Sequence, residues 1–135
     1  MRLLDLFCGA GGAAMGYYRA GFENIVGIDN KPQPNYPFEF IQVDALEYLV
    51  EHGSEYDIIH ASPPCQAFSW AAARWDKEYP DLISATRDLL LRTGKQYIIE
   101  NVITAPIEKS LLLCGTMFGL GVIRHRHFEI YIRHC

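Results

Sequence analysis

The chain has 135 residues, of which half are apolar and 21% are charged, a composition that suits one globular domain with one core. Its formal net charge of −4 is the opposite of the basic balance of proteins that bind nucleic acid on their own. The sequence has no apolar run of about 18 residues and carries an acid at Asp5, so we expect neither a membrane span nor a signal peptide. Its four cysteines are far apart and form no C-x-x-C pair, so the pattern predicts no metal site or disulfide framework and favours a reducing, cytoplasmic setting.

The first predicted element is a strand over 3–7, which leads into a glycine-rich turn and a helix over 13–20. The turn reads Cys8-Gly9-Ala10-Gly11-Gly12. Strand, glycine turn and helix is the order in which backbone N–H groups approach a ligand beside a helix N-terminus. The spacing is not G-x-G-x-x-G, and the alternative is a tight connection without a ligand. The flanking strand and helix favour a cofactor site.

Acidic residues follow the next two predicted strands, over 24–29 and 38–43. Asp29 lies about 20 residues after the glycine turn, where nucleoside-binding domains place the acid that accepts ribose hydroxyls; the alternative is a solvated acid. Asp44 is predicted to cap a helix over 45–50, with Glu47 completing a capping-box pattern, and it is also placed to reach a ligand's amine. The intervening segment 31–37 contains three prolines and is predicted to be a loop.

The fourth predicted strand, over 56–60, runs into Pro63-Pro64-Cys65. Successive prolines cannot continue a strand, so the chain leaves the sheet in a stiff turn, and Cys65 lies at the strand's carboxyl end. Open α/β sheets bind ligands at that edge, where a thiol is placed to act as a nucleophile; the alternative is a buried structural cysteine. Two tryptophans among basic residues between 67 and 79 predict a loop that covers the ligand, or one that packs inward.

The second half continues with a helix opened by Pro80 and ended by Gly94, then a strand over 96–99 that ends at Glu100. Strands are also predicted over 111–114 and 127–132, with a turn-rich segment between them. A local basic patch is expected near the end of the chain, formed by Arg124, His125, Arg126, His127, Arg133 and His134. Five strand ends thus deliver the glycine turn, Asp29, Asp44, Cys65 and Glu100 to one sheet edge, which predicts a nucleoside-bearing cofactor beside a thiol and a carboxylic acid.

Several segments resemble, in order and spacing, the motifs of the cytosine-C5 DNA methyltransferases. They are Asp5-Leu6-Phe7-Cys8-Gly9-Ala10-Gly11-Gly12, Gly27-Ile28-Asp29, Pro63-Pro64-Cys65-Gln66-Ala67-Phe68-Ser69, Glu100-Asn101-Val102 and Arg124-His125-Arg126. The combination is specific and extends over nearly the whole chain. It implies an α/β, three-layer Rossmann-like S-adenosylmethionine-dependent methyltransferase fold. The sheet is expected to be mostly parallel, with helices on both faces and an antiparallel terminal strand around 127–132.

The resemblance also implies a cofactor, S-adenosylmethionine, with S-adenosylhomocysteine as product, and a role for each matched residue. The implied cofactor-binding residues are Phe7, Cys8, Gly9, Ala10, Gly11, Gly12, Asp29, Asn30, Asp44, Ala45 and Pro63. Cys65 is the implied nucleophile that adds to cytosine C6, Glu100 the acid that donates to N3, and Arg126 the base contact. Arg124 is grouped with these catalytic residues or contacts a phosphate instead, and the alternative is that both arginines are charges at the rim of the site. The implied substrate-binding residues are Pro64, Gln66, Ser69, Asn101 and Val102.

Most members of this family, of restriction-modification or phage type, continue beyond the Arg-x-Arg segment with a target-recognition region. The chain is therefore predicted to be a single catalytic domain over 1–135 that lacks this region. Three interpretations remain open. The chain is a fragment, or a split enzyme completed by a second chain or a homo-oligomer; it is a minimal enzyme acting on a free cytosine nucleotide or single strand; or it is a non-catalytic cofactor-binding subunit. DNA is the substrate expected first, although a duplex requires extrusion of the base.

Overall fold

The computed structural model describes residues 1–64, 81–108 and 110–133, and these residues form a seven-stranded sheet with three helices. The strands are β1 (Arg2–Leu6), β2 (Asn24–Asp29), β3 (Glu39–Gln42), β4 (Ile58–Ala61), β5 (Gln96–Asn101), β6 (Ser110–Cys114) and β7 (His125–Tyr131). The helices are α1 (Gly12–Arg19), α2 (Ala45–His52) and α3 (Leu82–Thr93). Short 3-10 turns cover Gly53–Glu55 and Gly115–Phe118.

The strand order in the sheet is β3-β2-β1-β4-β5-β7-β6. Neighbours from β3 to β5 pair in parallel, whereas β7 pairs antiparallel with both β5 and β6. The expected antiparallel strand is confirmed, and it spans 125–131 rather than 127–132. Because β6 is antiparallel to β7, it runs in the same direction as β5.

The two faces of the sheet are covered by different helices, which confirms the predicted three layers. Side chains alternate along β1: Leu4 and Leu6 belong to the core cluster that includes Leu49 of α2 and Leu90 of α3. Leu3 points to the opposite face, where the second cluster contains residues of α1. Continuous apolar strands are expected when both faces of a parallel sheet are buried.

Two boundaries differ from the sequence-based prediction. β1 ends at Leu6 because Phe7 has a φ of 57°, a left-handed conformation that a strand does not accommodate. The glycine turn therefore begins one residue earlier than predicted. Tyr56 lies ahead of β4 rather than within it. Its side chain is nevertheless fully buried in the core, so its aromatic character made it look like part of the buried strand.

The helix ends follow local capping chemistry. Oδ1 of Asp81 accepts hydrogen bonds from the N–H groups of Ile83 and Ser84 at 3.0 and 3.3 Å. Asp81 is therefore the N-cap of α3 rather than part of its first turn, as an N-cap acid satisfies donors that the helix leaves free. At the other end the helix stops at Gly94, as predicted, and Gly94 adopts φ 67°, a left-handed conformation that is common where helices end.

A buried ion pair fastens α3 to β7. Arg87 of α3 donates from Nε to Oε1 of Glu129 at 2.9 Å and from Nη2 to Oε2 at 2.7 Å. Glu129 also accepts from the hydroxyl of Tyr97 at 3.1 Å and from the N–H of Glu108 at 3.0 Å. With these donors the carboxylate is fully paired, and the pKa of Glu129 lies below its ordinary value despite the opposing effect of burial.

Among the described helices, none is long and apolar enough to cross a bilayer. The described side chains also include no group of three or more His, Cys, Asp or Glu residues placed to hold a metal ion.

Candidate active site at the carboxyl edge of the sheet

The carboxyl ends of the parallel strands meet at one edge of the sheet. Leu6 pairs with Ile28 of β2 and with Ala61 of β4, and Ala61 pairs with Ile99 of β5. The last residues of these strands and the residues that follow them must therefore share this edge. They include the glycine turn, Asp29, the Pro63-Pro64 turn and Glu100, which the sequence predicted to converge here.

The glycine turn is fastened to the end of β2 by two hydrogen bonds. The N–H of Cys8 donates to the carbonyl of Ile28 at 3.0 Å, and the N–H of Gly9 donates to Oδ2 of Asp29 at 3.0 Å. Oδ1 of Asp29 accepts from the N–H of Lys31, also at 3.0 Å. Because each carboxylate oxygen has two acceptor positions, Asp29 keeps capacity for a ligand hydroxyl.

The turn requires glycine at two of its positions. Gly9 and Gly11 have φ values of 51° and 90°, where a side chain would be strained. A Cβ on Gly9 would meet nothing within 4 Å, so the backbone at Gly9 borders open space. Gly11 is the N-cap of α1, which places this open space beside a helix N-terminus, a favourable position for a ligand's negative charge.

Tyr36, from the proline-rich loop, packs beneath this turn. A Cβ on Gly11 would lie 2.7 Å from Cδ of Pro37, and a Cβ on Gly27 would lie 2.6 Å from the hydroxyl of Tyr36. The same hydroxyl donates to Oδ2 of Asp5 at 3.2 Å. The segment predicted only as a loop therefore supports the turn from below and covers a buried acid.

Asp5 is the most deeply buried acid of the site, with 1% of its surface exposed. Its Oδ1 has no hydrogen-bond partner among the described residues. Burial raises the pKa of Asp5 to about 7, the Tyr36 hydrogen bond lowers it, and the negative charges of Glu100 and Asp29 raise it further. The sequence analysis did not identify this residue as titrating near neutral pH, although an acid inside an otherwise apolar strand is a recognisable signal.

The Cys8 thiol faces the interior rather than the ligand edge. It is buried beside Leu3 and Ala14, and burial together with Asp5 and Asp29 raises its pKa to about 12. A neutral thiol is a poor nucleophile. The role of Cys8 in cofactor binding, which the family resemblance implies, stays a prediction.

Asp44 caps α2 as predicted. Its Oδ1 accepts from the N–H groups of Leu46 and Glu47 at 2.9 and 3.0 Å, which leaves Oδ2 directed away from these bonds. Ala45 is the buried first residue of the helix, and the carbonyl of Asn30 accepts from Gln42 at 3.3 Å. The roles of Asp44, Ala45 and Asn30 toward an adenosyl group stay predictions.

The two carboxylate oxygens of Glu100 have different neighbours. Ser62 donates from Oγ to Oε2 at 3.4 Å, and Nε2 of His60 lies 3.7 Å from the same oxygen. On the other side, Nε of Arg126 lies 3.6 Å from Oε1. Glu100 and Arg126 are therefore neighbours, as their predicted roles require. The side chain of Arg124 is exposed, and its described bond is made by its carbonyl, which accepts from Gly115.

His60 is a site residue that the sequence analysis did not identify. Its side chain is 2% exposed, with Nδ1 2.9 Å from the Tyr17 hydroxyl and Nε2 2.8 Å from Oγ of Ser62. Burial lowers the pKa of His60 to about 4, so the ring is neutral at physiological pH. In the sheet, His60 of β4 pairs directly with Asp5 of β1. A polar residue inside each of these two apolar strands is the sequence signal that could have identified His60 as a site residue.

Asn101 links β5 to the turn that precedes Cys65. Its Nδ2 donates to the carbonyl of Pro63 at 2.9 Å, and its Oδ1 accepts from the N–H of Val102 at 2.9 Å. Both polar atoms of the buried Asn101 amide are thereby hydrogen-bonded within the protein. The bond to Pro63 holds this buried residue in place, and the exposed Pro64 follows it at the edge of the sheet. Direct substrate contacts by Asn101, Val102 and Pro64 stay predictions.

Several predicted features lie outside the described residues. They are Cys65, Gln66, Ser69, the proposed covering loop over 67–79, Pro80 and His134.

Comparison with known proteins identifies the family. The family model described as C-5 cytosine-specific DNA methylase matches residues 1–104. The chain is 35% identical to the type II methyltransferase M.HgiDI of Herpetosiphon aurantiacus, in a match that covers 99% of the chain and 53% of that relative. It is 34% identical to M.HindV of Haemophilus influenzae, with 90% of the chain and 45% of the relative covered. The chain thus spans about half the length of these relatives.

Solved structures agree on the fold. A DNA modification methyltransferase encoded within an E. coli prophage superimposes with a TM-score of 0.67 at 21% identity, covering 96% of this chain and 46% of that one. A Thermoplasma acidophilum protein superimposes with a TM-score of 0.63 at 16% identity, covering 98% of this chain and 79% of that one. The predicted Rossmann-like methyltransferase fold is confirmed. With the family match over 1–104, these findings establish that the chain belongs to the C-5 cytosine-specific DNA methylases.

Proposed function

We propose that this chain is the catalytic portion of an S-adenosylmethionine-dependent DNA (cytosine-5-)-methyltransferase of the restriction-modification type. The observation that supports this most is the pairing of Glu100 with Arg126 at the sheet edge. One strand away, the Pro63-Pro64 turn leads directly to Cys65 and is held to β5 by Asn101. An acid and a fixed cation thus lie at the same edge as the turn that immediately precedes the proposed nucleophile in the sequence.

The residues at the edge fit the cofactor that the family implies. Open space at Gly9, the N-terminus of α1 and the free acceptor positions of Asp29 suit a nucleoside with polar substituents. S-adenosylmethionine would supply an electrophilic methyl group there. In this proposal Asp29 binds the ribose, Asp44 the adenine amine, and the remaining residues of the glycine turn the amino acid portion.

The reaction requires covalent help because cytosine C5 is a weak nucleophile. The Cys65 thiolate adds to C6 while Glu100 transfers a proton to N3, and Arg126 stabilises the bound ring. C5 then takes the methyl group and S-adenosylhomocysteine leaves. A base removes the C5 proton, the C6–sulfur bond breaks to release the thiolate, and N3 returns its proton to Glu100. The net change replaces one C5 hydrogen by a methyl group and releases one proton.

The experiment measures transfer of a labelled methyl group to duplex DNA, single-stranded DNA and a cytosine mononucleotide. Label in DNA that disappears in Cys65→Ala supports the proposal. Glu100→Gln should lower the rate at least about 100-fold, since positioned acid catalysis contributes about 10²–10⁴-fold. Label in the mononucleotide alone would favour a free-nucleotide enzyme, and no label in any substrate would contradict turnover by this chain.

A non-catalytic cofactor-binding subunit is the second candidate, and the net charge of −4 favours it. A 5-fluorocytosine substrate distinguishes the two, because its C5 fluorine cannot leave as a proton does and the adduct persists. A covalent adduct at Cys65 rules out the second candidate. Cofactor binding by calorimetry without an adduct supports it.

We also propose that a further polypeptide segment, of the kind that makes up the unmatched half of the relatives, covers part of the sheet. Leu111 of β6 and Ile130 of β7 lie on the face that carries Glu100, and they are 48% and 40% exposed. Apolar side chains grouped on a sheet face are typical of an interface. Methyl transfer should therefore increase when the unmatched portion of M.HgiDI is added, and Ile130→Lys should prevent this. Self-association of the isolated chain, measured by sedimentation, would favour a homo-oligomer instead.

A further inference from the structure

Three hydrogen-bonding side chains form a continuous line behind Glu100. Tyr17 of α1 contacts Nδ1 of His60 at 2.9 Å, and Nε2 of His60 contacts Oγ of Ser62 at 2.8 Å. Ser62 then donates to Oε2 of Glu100 at 3.4 Å, whereas His60 itself remains 3.7 Å from that oxygen. The longer distance exceeds hydrogen-bonding range, so Ser62 is the group that connects the buried ring to the acid.

We propose that Tyr17, His60 and Ser62 form a positioning relay that maintains a hydrogen bond to Glu100 in both of its protonation states. This inference rests on the proposed function, in which Glu100 gives a proton to the base and takes it back. The relay residues act through Glu100 and need not touch the substrate.

Each member of the relay both donates and accepts, and this lets the whole line reverse. With Glu100 ionised, Tyr17 donates to Nδ1, Nε2–H of His60 donates to Ser62, and Ser62 donates to Oε2. With Glu100 protonated, Oε2–H donates to Ser62, Ser62 donates to Nε2, and Nδ1–H donates to Tyr17. The two arrangements differ by the one proton that Glu100 gains, which comes from solvent in a titration and from N3 in the reaction. They also differ in the imidazole proton, which moves from Nε2 to Nδ1 by exchange with solvent through Tyr17, so protons balance.

The relay requires a neutral imidazole, because a cationic ring donates at both nitrogens and cannot accept from Ser62. Burial of His60 supplies this condition by lowering its pKa to about 4. Tyr17 likewise keeps its proton at both ends of the cycle, since burial and the charges of Asp5 and Glu100 raise its pKa. A buried polar chain of this kind is stable only when each member has a partner.

The charged groups around Glu100 do not make the hydrogen bond to Oε2 that Ser62 makes. Arg126 of β7 approaches Oε1, not the oxygen that Ser62 contacts. Asp5 of β1 interacts unfavourably with the negative charge of Glu100 and offers it no hydrogen bond among the described contacts. The hydrogen bond from Ser62 is therefore what connects Oε2 to the protein interior, and removing its hydroxyl should disconnect Glu100 from His60.

The test is a ¹⁵N NMR titration of His60 in the full chain, with the Glu100 carboxyl followed by ¹³C in the same samples. The chain has five histidines, and His60→Gln assigns the signal. As Glu100 becomes protonated, the neutral form of the His60 ring should exchange its protonated nitrogen from Nε2 to Nδ1. Ser62→Ala should abolish this exchange and Ser62→Thr should retain it. A single tautomer of the neutral ring throughout the titration, or the same exchange in Ser62→Ala, would overturn the relay.

Activity provides a second readout. Loss of one hydrogen bond corresponds to about tenfold in rate, so Ser62→Ala should lower kcat about tenfold and displace its pH profile, and Ser62→Thr should restore both. An unchanged kcat and pH profile in Ser62→Ala would contradict the relay even with methyl transfer intact. If no variant or wild-type protein transfers a methyl group but the tautomer still follows Glu100, the proposed function fails while the relay stands.

Discussion

The buried carboxyl of Asp5 should make the stability of this protein depend on pH in a direction opposite to that of most acids. Its pKa is raised from 3.8 to about 7, so between these values the folded protein binds a proton that the unfolded chain does not. The contribution of Asp5 to the free energy of unfolding has its full value below about pH 4, and it is lost as the pH rises through 7. About three pH units at about 1.4 kcal/mol each give a loss of about 4 kcal/mol.

The measurement is urea unfolding followed by circular dichroism from pH 5 to pH 8, with wild type and Asp5→Asn compared. The asparagine cannot ionise, so its free energy of unfolding should fall less steeply with pH than that of wild type, by up to about 1.4 kcal/mol per unit. The slope is the readout, because the new amide group changes the absolute stability. Asp88→Asn, at an exposed position of α3, is the matched control. Equal slopes in wild type and Asp5→Asn would refute this account of the buried acid.

Two further predictions concern packing. Arg87→Met removes the cation facing the buried Glu129 and should destabilise the protein by about 3 kcal/mol; the double variant with Glu129→Gln should recover part of this in urea unfolding, and a single variant as stable as wild type would contradict the importance of the pair. Gly27→Ala should cost about 1–3 kcal/mol because its methyl group overlaps Tyr36. Gly16→Ala, where a Cβ meets nothing within 4 Å, should instead be neutral or stabilising by up to about 1 kcal/mol; similar thermal shifts for the two alanines would argue against the overlap.

Local sequence signals predicted the strands and their polar ends well. Apolar runs that stop at glycine, proline or acidic residues gave the ends of β1 to β5 to within a few residues, and Asp44 caps α2 as its sequence context indicated. Parallel strands bring such ends together without further information, so the meeting of Asp29 and the glycine turn was predictable. The antiparallel direction of β7 was not, and it required the family resemblance.

What the sequence did not reveal depends on contacts between distant segments. Nothing near Tyr36 indicates that its ring fits beneath Gly27, because that contact exists only once the loop returns over β1 and β2. The same holds for His60, whose neutral state follows from burial between α1 and β5 rather than from its neighbours in the chain. The positive φ of Phe7 was missed because an aromatic residue rarely adopts it.

The close fit between Gly27 and Tyr36 has a consequence for protein engineering. A library that randomises position 27 alone should return glycine almost exclusively, since every other residue displaces the ring. Varying both positions together opens a different set of sequences, in which a larger residue at 27 is matched by a smaller one at 36. Such pairs would remove the phenol that donates to Asp5, so an amide at position 5 is the third change that a redesigned version should carry.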